Sequence, residues 1–320
     1  MNLANSRNLS AAQTAARARA TRPHLYVASA DKVDEDAMLG QFIPIHYHYQ
    51  MLHQEQRIGG FEQAIDALVK PGMKVLELGA GTNVLSFFAA RAGASKVYSV
   101  ERLPHVARAA QRFLTANGVS DRVDITVGDA ASYLPPERVD VVICEMLHTA
   151  MLREKQLSII ASFKERYLAR FGGPLPMFIP EAAVMALQPV HTDYDFHGYN
   201  AAVPMFIDGS GNGDRVKALA TPALYSSFLY GSDYSTKFEI DVELTVTQSG
   251  MLNGLRFITK NLLAILEDEG RSIDWDMHDL VIPLANPVAV MTGNTIRIRF
   301  RYEAGDSILA LAESIDSQDI

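Results

Sequence analysis

Between residues 73 and 145, short apolar runs rich in β-branched residues alternate with segments of helical periodicity. The apolar runs predict four buried strands, which are Lys74–Leu78, Lys96–Val100, Val123–Val127 and Val139–Cys144. Two helical segments lie between the first three strands and each is followed by a glycine that can cap it; they are Leu85–Ala92 and Pro104–Asn117. This order predicts an α/β domain with a parallel sheet.

After residue 180 the pattern changes, and apolar and polar residues alternate with the two-residue period of a half-buried strand. Two such stretches are Phe238–Val246 and Ile296–Tyr302. Arg297, Arg299 and Arg301 stand between the apolar residues of the second stretch. We interpret them as the solvent-facing side of an antiparallel sheet rather than as a nucleic-acid strip. A second, all-β domain is therefore expected.

The length of 320 residues and the apolar content of 48% allow two cores. We divide the chain into an N-terminal arm (1–40), an α/β domain (41–180) and a β domain (181–320). Residues 1–30 carry four arginines and no acidic residue, as organelle transit peptides do. A helical or mobile arm is the interpretation that we favour.

The net charge of −8 argues against a nucleic-acid partner, because domains that bind nucleic acids usually carry a clustered basic face. A cationic substrate fits the charge better. No run reaches the roughly 20 apolar residues that cross a bilayer, so we expect a soluble protein without a membrane partner. The single cysteine, Cys144, allows no internal disulfide and fits a reducing cytoplasm.

Candidate ligand-binding residues follow three of the predicted strands. The turn Gly79-Ala-Gly81 lets the backbone approach a ligand closely, because glycine has no Cβ. Val84 stands where the dinucleotide fingerprint requires a third glycine, which argues against NAD or FAD. Glu101 ends the second strand, where a carboxylate can accept both ribose hydroxyls. Asp129 and Ala130 follow the third strand, where a carboxylate can bind the adenine amine. The three strand ends predict an adenosine ligand without a pyrophosphate.

These residues resemble a known family. Val75–Ser86 together with Glu101 resembles class I S-adenosylmethionine-dependent methyltransferases, and Phe87–Val97 resembles the protein-arginine methyltransferases specifically. The resemblance covers residues 45 to 185. It implies a Rossmann-like α/β methyltransferase domain followed by an all-β, barrel-like domain, with S-adenosyl-L-methionine as the cofactor.

The resemblance also assigns cofactor-binding residues. His48 and Arg57 match the family's helix before the first strand, and Arg57 is expected to pair with the methionyl carboxylate as a bidentate fork. Glu77 is expected at the cofactor too. Two alternatives stay open: Arg57 as a surface residue, and Glu77 as a strand residue bonded to the following turn. No cysteine or carboxylate spacing completes a metal site with the nearby histidines, so no metal is predicted.

The spacing of Glu145 and Glu154 matches the double-glutamate loop of arginine methyltransferases, in which a hairpin brings both side chains onto one guanidinium. A guanidinium offers five donors and no free lone pair, and it must approach a positively charged sulfonium. Two carboxylates offset that repulsion and orient the planar group. We predict that both glutamates are catalytic. In the alternative, Glu145 merely ends a strand and Glu154 opens a helix whose dipole favours it.

Two loops depart from the family pattern. Met146-Leu-His-Thr149 replaces Trp-Met-Gly-Tyr, and Trp275-Asp-Met277 stands where Thr-His-Trp is expected. We therefore expect Met51, His148 and Asp276 at the substrate. Asp276 is expected to pair with the α-ammonium of free L-arginine, similar to bacterial members that N-methylate free arginine for N-nitrosourea antibiotics.

Several alternatives remain. Family members dimerise through an arm, and residues 192–230 are a candidate for a homodimer contact. The first rival substrate is an arginine-containing peptide. A non-catalytic scaffold that binds S-adenosylmethionine is a rival of another class. A neutral amine or phenol is a poorer acceptor, because two carboxylates without a cation are costly to desolvate.

Overall fold

A five-stranded parallel sheet forms the first half of the structure. The structure is a computed structural model that describes residue 43 and residues 45–208 and 215–316. Its strands are β1 (Lys74–Leu78), β2 (Lys96–Glu101), β3 (Val123–Val127), β4 (Val141–Cys144) and β5 (Met177–Ile179). They lie in the order β3-β2-β1-β4-β5, and each neighbouring pair is parallel. The chain reverses its direction of travel across the sheet between β1 and β4, which is where open α/β sheets bind their ligands.

The described helices of this half are α1 (Ile45–His53), α2 (Glu55–Leu68), α3 (Val84–Arg91), α4 (Pro104–Ala116) and α5 (Gln156–Phe171). The predicted bounds of α3 and α4 are correct to within one residue at each end. β4 begins at Val141 rather than at Val139, because the Val139 N–H donates to the Tyr167 hydroxyl at 3.0 Å. None of the described helices is both long and apolar enough to span a membrane. The predicted arm at residues 1–40 lies outside the described residues.

The second half is almost entirely antiparallel, as predicted. Its strands are β6 (Ala182–Thr192), β7 (Asp195–Phe196), β8 (Tyr199–Asn200), β9 (Met205–Ile207), β10 (Val216–Ala218), β11 (Ala223–Leu229), β12 (Lys237–Thr245), β13 (Gly250–Leu266), β14 (Arg271–Asp276), β15 (Asp279–Val290) and β16 (Thr295–Glu303), and they are followed by helix α6 (Ile308–Ser314). β13 is the centre of a seven-stranded sheet and pairs with β6, β14 and β15. Closure of these strands into a barrel stays a prediction.

The three arginines of β16 lie on the polar side of a two-stranded ribbon with β12. Each stands opposite an acidic residue of β12, in the pairs Glu239–Arg301, Asp241–Arg299 and Glu243–Arg297. The Arg297 side chain donates to both oxygens of Asp241, at 2.6 and 2.5 Å. The apolar residues between them are buried, from Ile296 to Tyr302. The interpretation of the arginines as a solvated face is therefore confirmed.

One large core cluster of the described residues extends through both halves, and a smaller one in the second half contains Val190, Ile207 and Val281. Gly60 of α2 marks a place where they approach closely, because a Cβ on this residue would lie 3.0 Å from Cδ1 of Leu263 on β13. Phe61 of α2 packs edge-on against Trp275 of β14, with 6.1 Å between ring centroids. The antiparallel half thus packs directly on α2. The division into domains at residue 180 stays a prediction.

Candidate functional site

A cavity of about 500 Å³ lies at the carboxyl ends of β1, β2, β3 and β4, a volume usual for small-ligand sites. The structure brings most of the predicted residues to its wall, namely His48, Met51, Arg57, Glu77, Gly79, Gly81, Glu101, Asp129, Ala130, Glu145 and Glu154. Two predicted residues are not among those that line it, His148 and Asp276. The cofactor and acceptor predictions therefore converge on one cavity.

The glycine turn after β1 is required by both backbone conformation and space. Gly79 and Gly81 have φ values of +71° and +52°, in the region that side chains rarely adopt. A Cβ on Gly79 would lie 2.7 Å from the sulfur of Met146, and a Cβ on Gly81 would lie 2.7 Å from Cε1 of His48. Asn83 follows in the left-handed region with φ +62°, as expected for this position. The turn therefore contacts both α1 and the segment after β4.

Two carboxylates at strand ends are fixed by backbone amides. The oxygens of Glu101 accept from Gly81 N at 2.9 Å and from Leu103 N at 2.8 Å. Asp129 accepts from Ala131 N at 2.9 Å. Each carboxylate oxygen has two lone pairs, so these carboxylates keep acceptor capacity for ribose hydroxyls and for an adenine amine. The donor and acceptor set fits an adenosine ligand.

Glu77 is buried and bonds to the start of α3. One oxygen accepts from the Ser86 N–H at 2.8 Å and from the Ser86 hydroxyl. Burial raises the pKa of Glu77 to about 8, and the two bonds from Ser86 oppose that shift. These contacts support the alternative in which Glu77 ties β1 to the element that follows the glycine turn. Its contact with a cofactor stays a prediction, although the residue lines the cavity.

Glu145 directly follows β4, and Glu154 precedes α5. The loop between them holds three residues other than glycine in the left-handed region, Ala150, Met151 and Arg153, with φ of +57°, +57° and +60°. Such conformations cost free energy and persist only where the surroundings enforce them. Because α5 begins at Gln156, the alternative in which Glu154 opens this helix is wrong.

Contacts from the antiparallel half enforce the conformation of this loop. The Ala150 N–H donates to the hydroxyl of Thr259 on β13 at 2.8 Å. The Arg153 N–H donates to the carbonyl of Asp306, after β16, at 2.8 Å. Both glutamates are thus positioned by β4 and α5 at the ends of the loop and by the second half at its middle.

Arg57 of α2 forms an ion pair with Glu145, and the side chains are only 12% and 13% exposed. The alternative of Arg57 as a surface residue is wrong. Burial lowers the pKa of Arg57 to about 10, against the opposing effect of Glu154. Burial likewise raises the pKa of Glu154 to about 7, although Arg57 and Arg153 favour its charged form. Arg57 and the two carboxylates together carry one net negative charge when all three are ionised, and Arg153 adds a positive charge near Glu154. Two carboxylates on one cavity wall can accept a cation.

Two predicted substrate residues lie elsewhere. The His148 ring packs edge-on against Phe206 at 5.5 Å, and burial lowers the pKa of His148 to about 4. Asp276 is exposed on β14, opposite Lys260. Its neighbour Trp275 is buried and its ring lies against Arg57. Successive residues of a strand point to opposite faces, so one strand carries Trp275 to the site and Asp276 away from it.

Part of the site is similar to a methyltransferase family. Residues 62–164, which contain β1 to β4, match the family model of ribosomal protein L11 methyltransferase (PrmA). An uncharacterized protein of Methanocaldococcus jannaschii, MJ1452, is 26% identical over 264 residues, which cover 82% of this chain and 93% of that protein.

Arginine methyltransferases are similar over much of the same region. Protein arginine N-methyltransferase 6 of Xenopus laevis is 30% identical over 149 residues, which cover 46% of this chain and 42% of that protein. The match thus spans less than half of that relative's length. The chain has arginine methyltransferase homologues.

The same fold is found in a solved complex of Trypanosoma brucei PRMT1 enzyme and prozyme with AdoHcy. The TM-score is 0.67 at 20% identity, over 81% of this chain and 88% of that chain. The Rossmann-like parallel core followed by an antiparallel half is therefore an arrangement shared with that structure. The family match supports S-adenosylmethionine as the predicted cofactor, and AdoHcy is bound in the Trypanosoma brucei complex.

The loop from Glu145 to Glu154 is called the acceptor loop below, because both glutamates are predicted to bind the methyl acceptor. Its contact with Thr259 generates a prediction. Thr259→Val keeps the volume but leaves the buried Ala150 N–H without its acceptor, which costs about 1–3 kcal/mol. We expect a corresponding loss in the free energy of unfolding and faster hydrogen exchange in the loop at residues 145–155. Thr259→Ser keeps the hydroxyl and is the control. Slow exchange in the Val variant, equal to that in the Ser variant, would contradict this anchoring role.

Proposed function

We propose that the protein is an S-adenosylmethionine-dependent N-methyltransferase that acts on the guanidinium group of arginine. One observation carries the proposal: Glu145 and Glu154 line the same cavity as the glycine turn and Glu101. A cavity of this composition serves an adenosine-containing cofactor and a cation side by side. A neutral acceptor would offer the two carboxylates no cation to offset the cost of their desolvation.

The cofactor would be held by residues whose contacts are already fixed. Glu101 and Asp129 would accept hydrogen bonds from the ribose hydroxyls and the adenine amine, and the glycine turn would let the cofactor approach the backbone closely. Arg57 would bind the methionyl carboxylate of the cofactor. His48 packs on this turn, and burial lowers its pKa despite the opposing effect of Glu101, so it would be neutral beside the cofactor. When bound, S-adenosylmethionine supplies a methyl group on a positively charged sulfonium.

The two acceptor carboxylates have different surroundings and would serve different purposes. Glu145 is bonded to Arg57, which fixes its position for orienting a guanidinium. Glu154 has a pKa of about 7, close to that of a base working at neutral pH. In the reaction, a bond would form between a guanidinium nitrogen and the methyl carbon while the bond from that carbon to the sulfonium sulfur breaks, its electron pair staying on the sulfur of a neutral thioether. An N–H bond of the attacking nitrogen would break as well. Glu154 would accept this proton and release it to water.

We favour free L-arginine or another small guanidino compound as the acceptor. Lys155 lines the cavity beside Glu154, and its ammonium can pair with the α-carboxylate that a free amino acid has and a peptide arginine lacks. The altered loop Met146–Thr149 also favours a rebuilt pocket. Asp276 does not support this choice, because it is exposed and outside the cavity wall. An arginine-containing peptide is the second candidate, supported by the names of relatives such as protein arginine N-methyltransferase 6 of Xenopus laevis.

We also propose a homodimer in a reducing cytoplasm. Part of the expected dimerisation arm exposes large apolar side chains, with Tyr199 72% exposed and Val203 50% exposed. Contiguous exposed apolar residues are typical of interaction surfaces. The one cysteine, Cys144, is buried as a free thiol, and a chain of this kind needs no oxidising compartment.

Mass spectrometry of parallel reactions tests the choice of acceptor. Each contains the protein and isotope-labelled S-adenosylmethionine, with either free L-arginine or a glycine- and arginine-rich peptide. We expect free arginine to gain the mass of one labelled CH₂ unit. A gain on the peptide alone would establish the second candidate. Labelling of neither, with the cofactor bound, would support a non-catalytic scaffold and contradict the proposed activity.

The acceptor role of Glu145 predicts a loss confined to turnover. Glu145→Gln should reduce kcat by on the order of a hundredfold or more, as removal of a charge-stabilising group at a reacting centre does. The affinity for S-adenosylhomocysteine, measured by isothermal titration calorimetry, should stay near normal. Glu239→Gln, on the exposed ribbon, is the matched control. If Glu145→Gln lost cofactor affinity and turnover equally, the residue would act through Arg57 or through folding instead of on the acceptor.

The raised pKa of Glu154 predicts a pH dependence. The guanidinium acceptor needs Glu154 in its ionised form, so kcat/KM should rise with pH up to about 7 and then level off. Glu154→Gln should abolish this rise with pH. Stability should change in the opposite direction. The folded pKa lies above the ordinary value of 4.5, so the wild type loses stability as pH rises from about 4.5 to about 7.

Thermal unfolding of the wild type and Glu154→Gln at pH 5 and pH 8 measures this second effect. We expect the variant to be the more stable of the two at pH 8, by about 3 kcal/mol from the pKa difference, and the gap to shrink at pH 5. A gap that does not change with pH would exclude a buried carboxylate that titrates near neutrality.

A further inference from the structure

Trp275 connects the antiparallel half to the charged centre of the site. It is the one tryptophan of the chain and lies near the end of β14, where it is 8% exposed. The Cζ atom of Arg57 stands 5.2 Å from the centroid of its ring. Phe61, one turn further along α2, packs edge-on against the same ring. The indole therefore contacts α2 at both its charged and its apolar residues.

The guanidinium of Arg57 is held from more than one direction. One of its terminal nitrogens donates to Glu145, and the other lies 3.4 Å from the side-chain oxygen of Gln54. The ring of Trp275 supplies an attractive surface for a cation that has lost much of its water. A guanidinium stacks well on an aromatic face because it is planar and weakly hydrated. Arg57 also lines the cavity, so its remaining donors are available to a ligand.

The strands that carry Trp275 also hold the acceptor loop. β14 pairs with β13, and Trp275 lies opposite Asn261 in this pairing. Thr259, two residues before Asn261 and on the same face of β13, accepts from Ala150 of the loop. One pair of strands thus contacts both Arg57 and the loop whose first residue is Glu145. The strand pair β13–β14 therefore sets the position of the Arg57 guanidinium relative to the Glu145 carboxylate.

We infer that Trp275 is a positioning residue. Its indole holds the Arg57 guanidinium at a place where this guanidinium can bind Glu145 and the cofactor carboxylate at the same time. The inference rests on the proposed function for the cofactor part and on the observed contacts for the rest. It assigns to the antiparallel half a part in cofactor binding. A merely apolar core residue at this position would fill space without holding the cation.

The fluorescence of Trp275 tests the contact itself. No other tryptophan contributes to the emission, so a change reports on this ring alone. We expect Arg57→Met to change the intensity and wavelength of the emission in the full-length protein. Arg91→Met is the matched control, because Arg91 lies over Phe87 and Phe88 instead. Unchanged emission in Arg57→Met would overturn the inference without any reference to activity.

Binding of S-adenosylhomocysteine tests the consequence. We expect Trp275→Leu to weaken it by about tenfold, the scale of a desolvated cation–π contact, and Trp275→Phe to restore most of the affinity. Ile273→Ala, which disturbs the buried core two residues before Trp275 on the same strand and is not among the residues that line the cavity, should leave the affinity near that of the wild type. In an Arg57→Met background, Trp275→Leu should cause no further loss.

The outcomes separate the two proposals. If the wild type binds no S-adenosylhomocysteine, the proposed function fails. If the wild type binds it and Trp275→Leu binds equally well, only the positioning role fails. A loss in Ile273→Ala as large as that in Trp275→Leu would show that packing alone is responsible, and this would also overturn the inference. Thermal unfolding of each variant confirms that folded protein is compared.

Discussion

The ion pair between Arg57 and Glu145 is the constraint around which the site is organised. Two charges out of water stabilise a protein only when their geometry is good and their other groups are satisfied. Here one partner comes from a helix before the parallel sheet, and the other is the residue that directly follows strand β4 of that sheet. A ring from the antiparallel half covers the cation. Three parts of the chain that are distant in sequence must therefore fold together before this pair can form.

The acceptor loop shows the same dependence from the side of the backbone. Its left-handed residues have side chains, so nothing local favours their conformation. The hydroxyl of Thr259 and the carbonyl of Asp306 hold the loop from outside. The antiparallel half is thus a structural requirement for placing two carboxylates on one side of a cavity. The parallel sheet alone would fix Glu145 and leave the course of the chain to Glu154 undetermined.

The sequence predicted site residues correctly where the apolar pattern alone locates the end of a strand. The carboxyl ends of parallel strands meet at one edge of a sheet, so Glu101, Asp129 and Glu145 could be placed together from strand prediction. Asp276 was misplaced because a difference of one residue reverses the face of a strand, and the family pattern did not fix that register. The contact of Thr259 could not be predicted, since a threonine in a strand carries no signal of its partner. The ring contact between His148 and Phe206 depends likewise on packing between distant segments.

The close approach at Gly60 has a consequence for how this architecture can be recombined. Since a methyl group on Gly60 would press against the Leu263 side chain and require it to shift, this face of the helix fits one particular strand surface closely. A chimera that joins the parallel half of one such protein to the antiparallel half of another at residue 180 would bring together surfaces that were selected separately. A transplant of the antiparallel half should therefore take α2 with it. For recombination, the boundary between exchangeable parts therefore lies between α2 and β1. The change from parallel to antiparallel strands comes about a hundred residues later in the sequence.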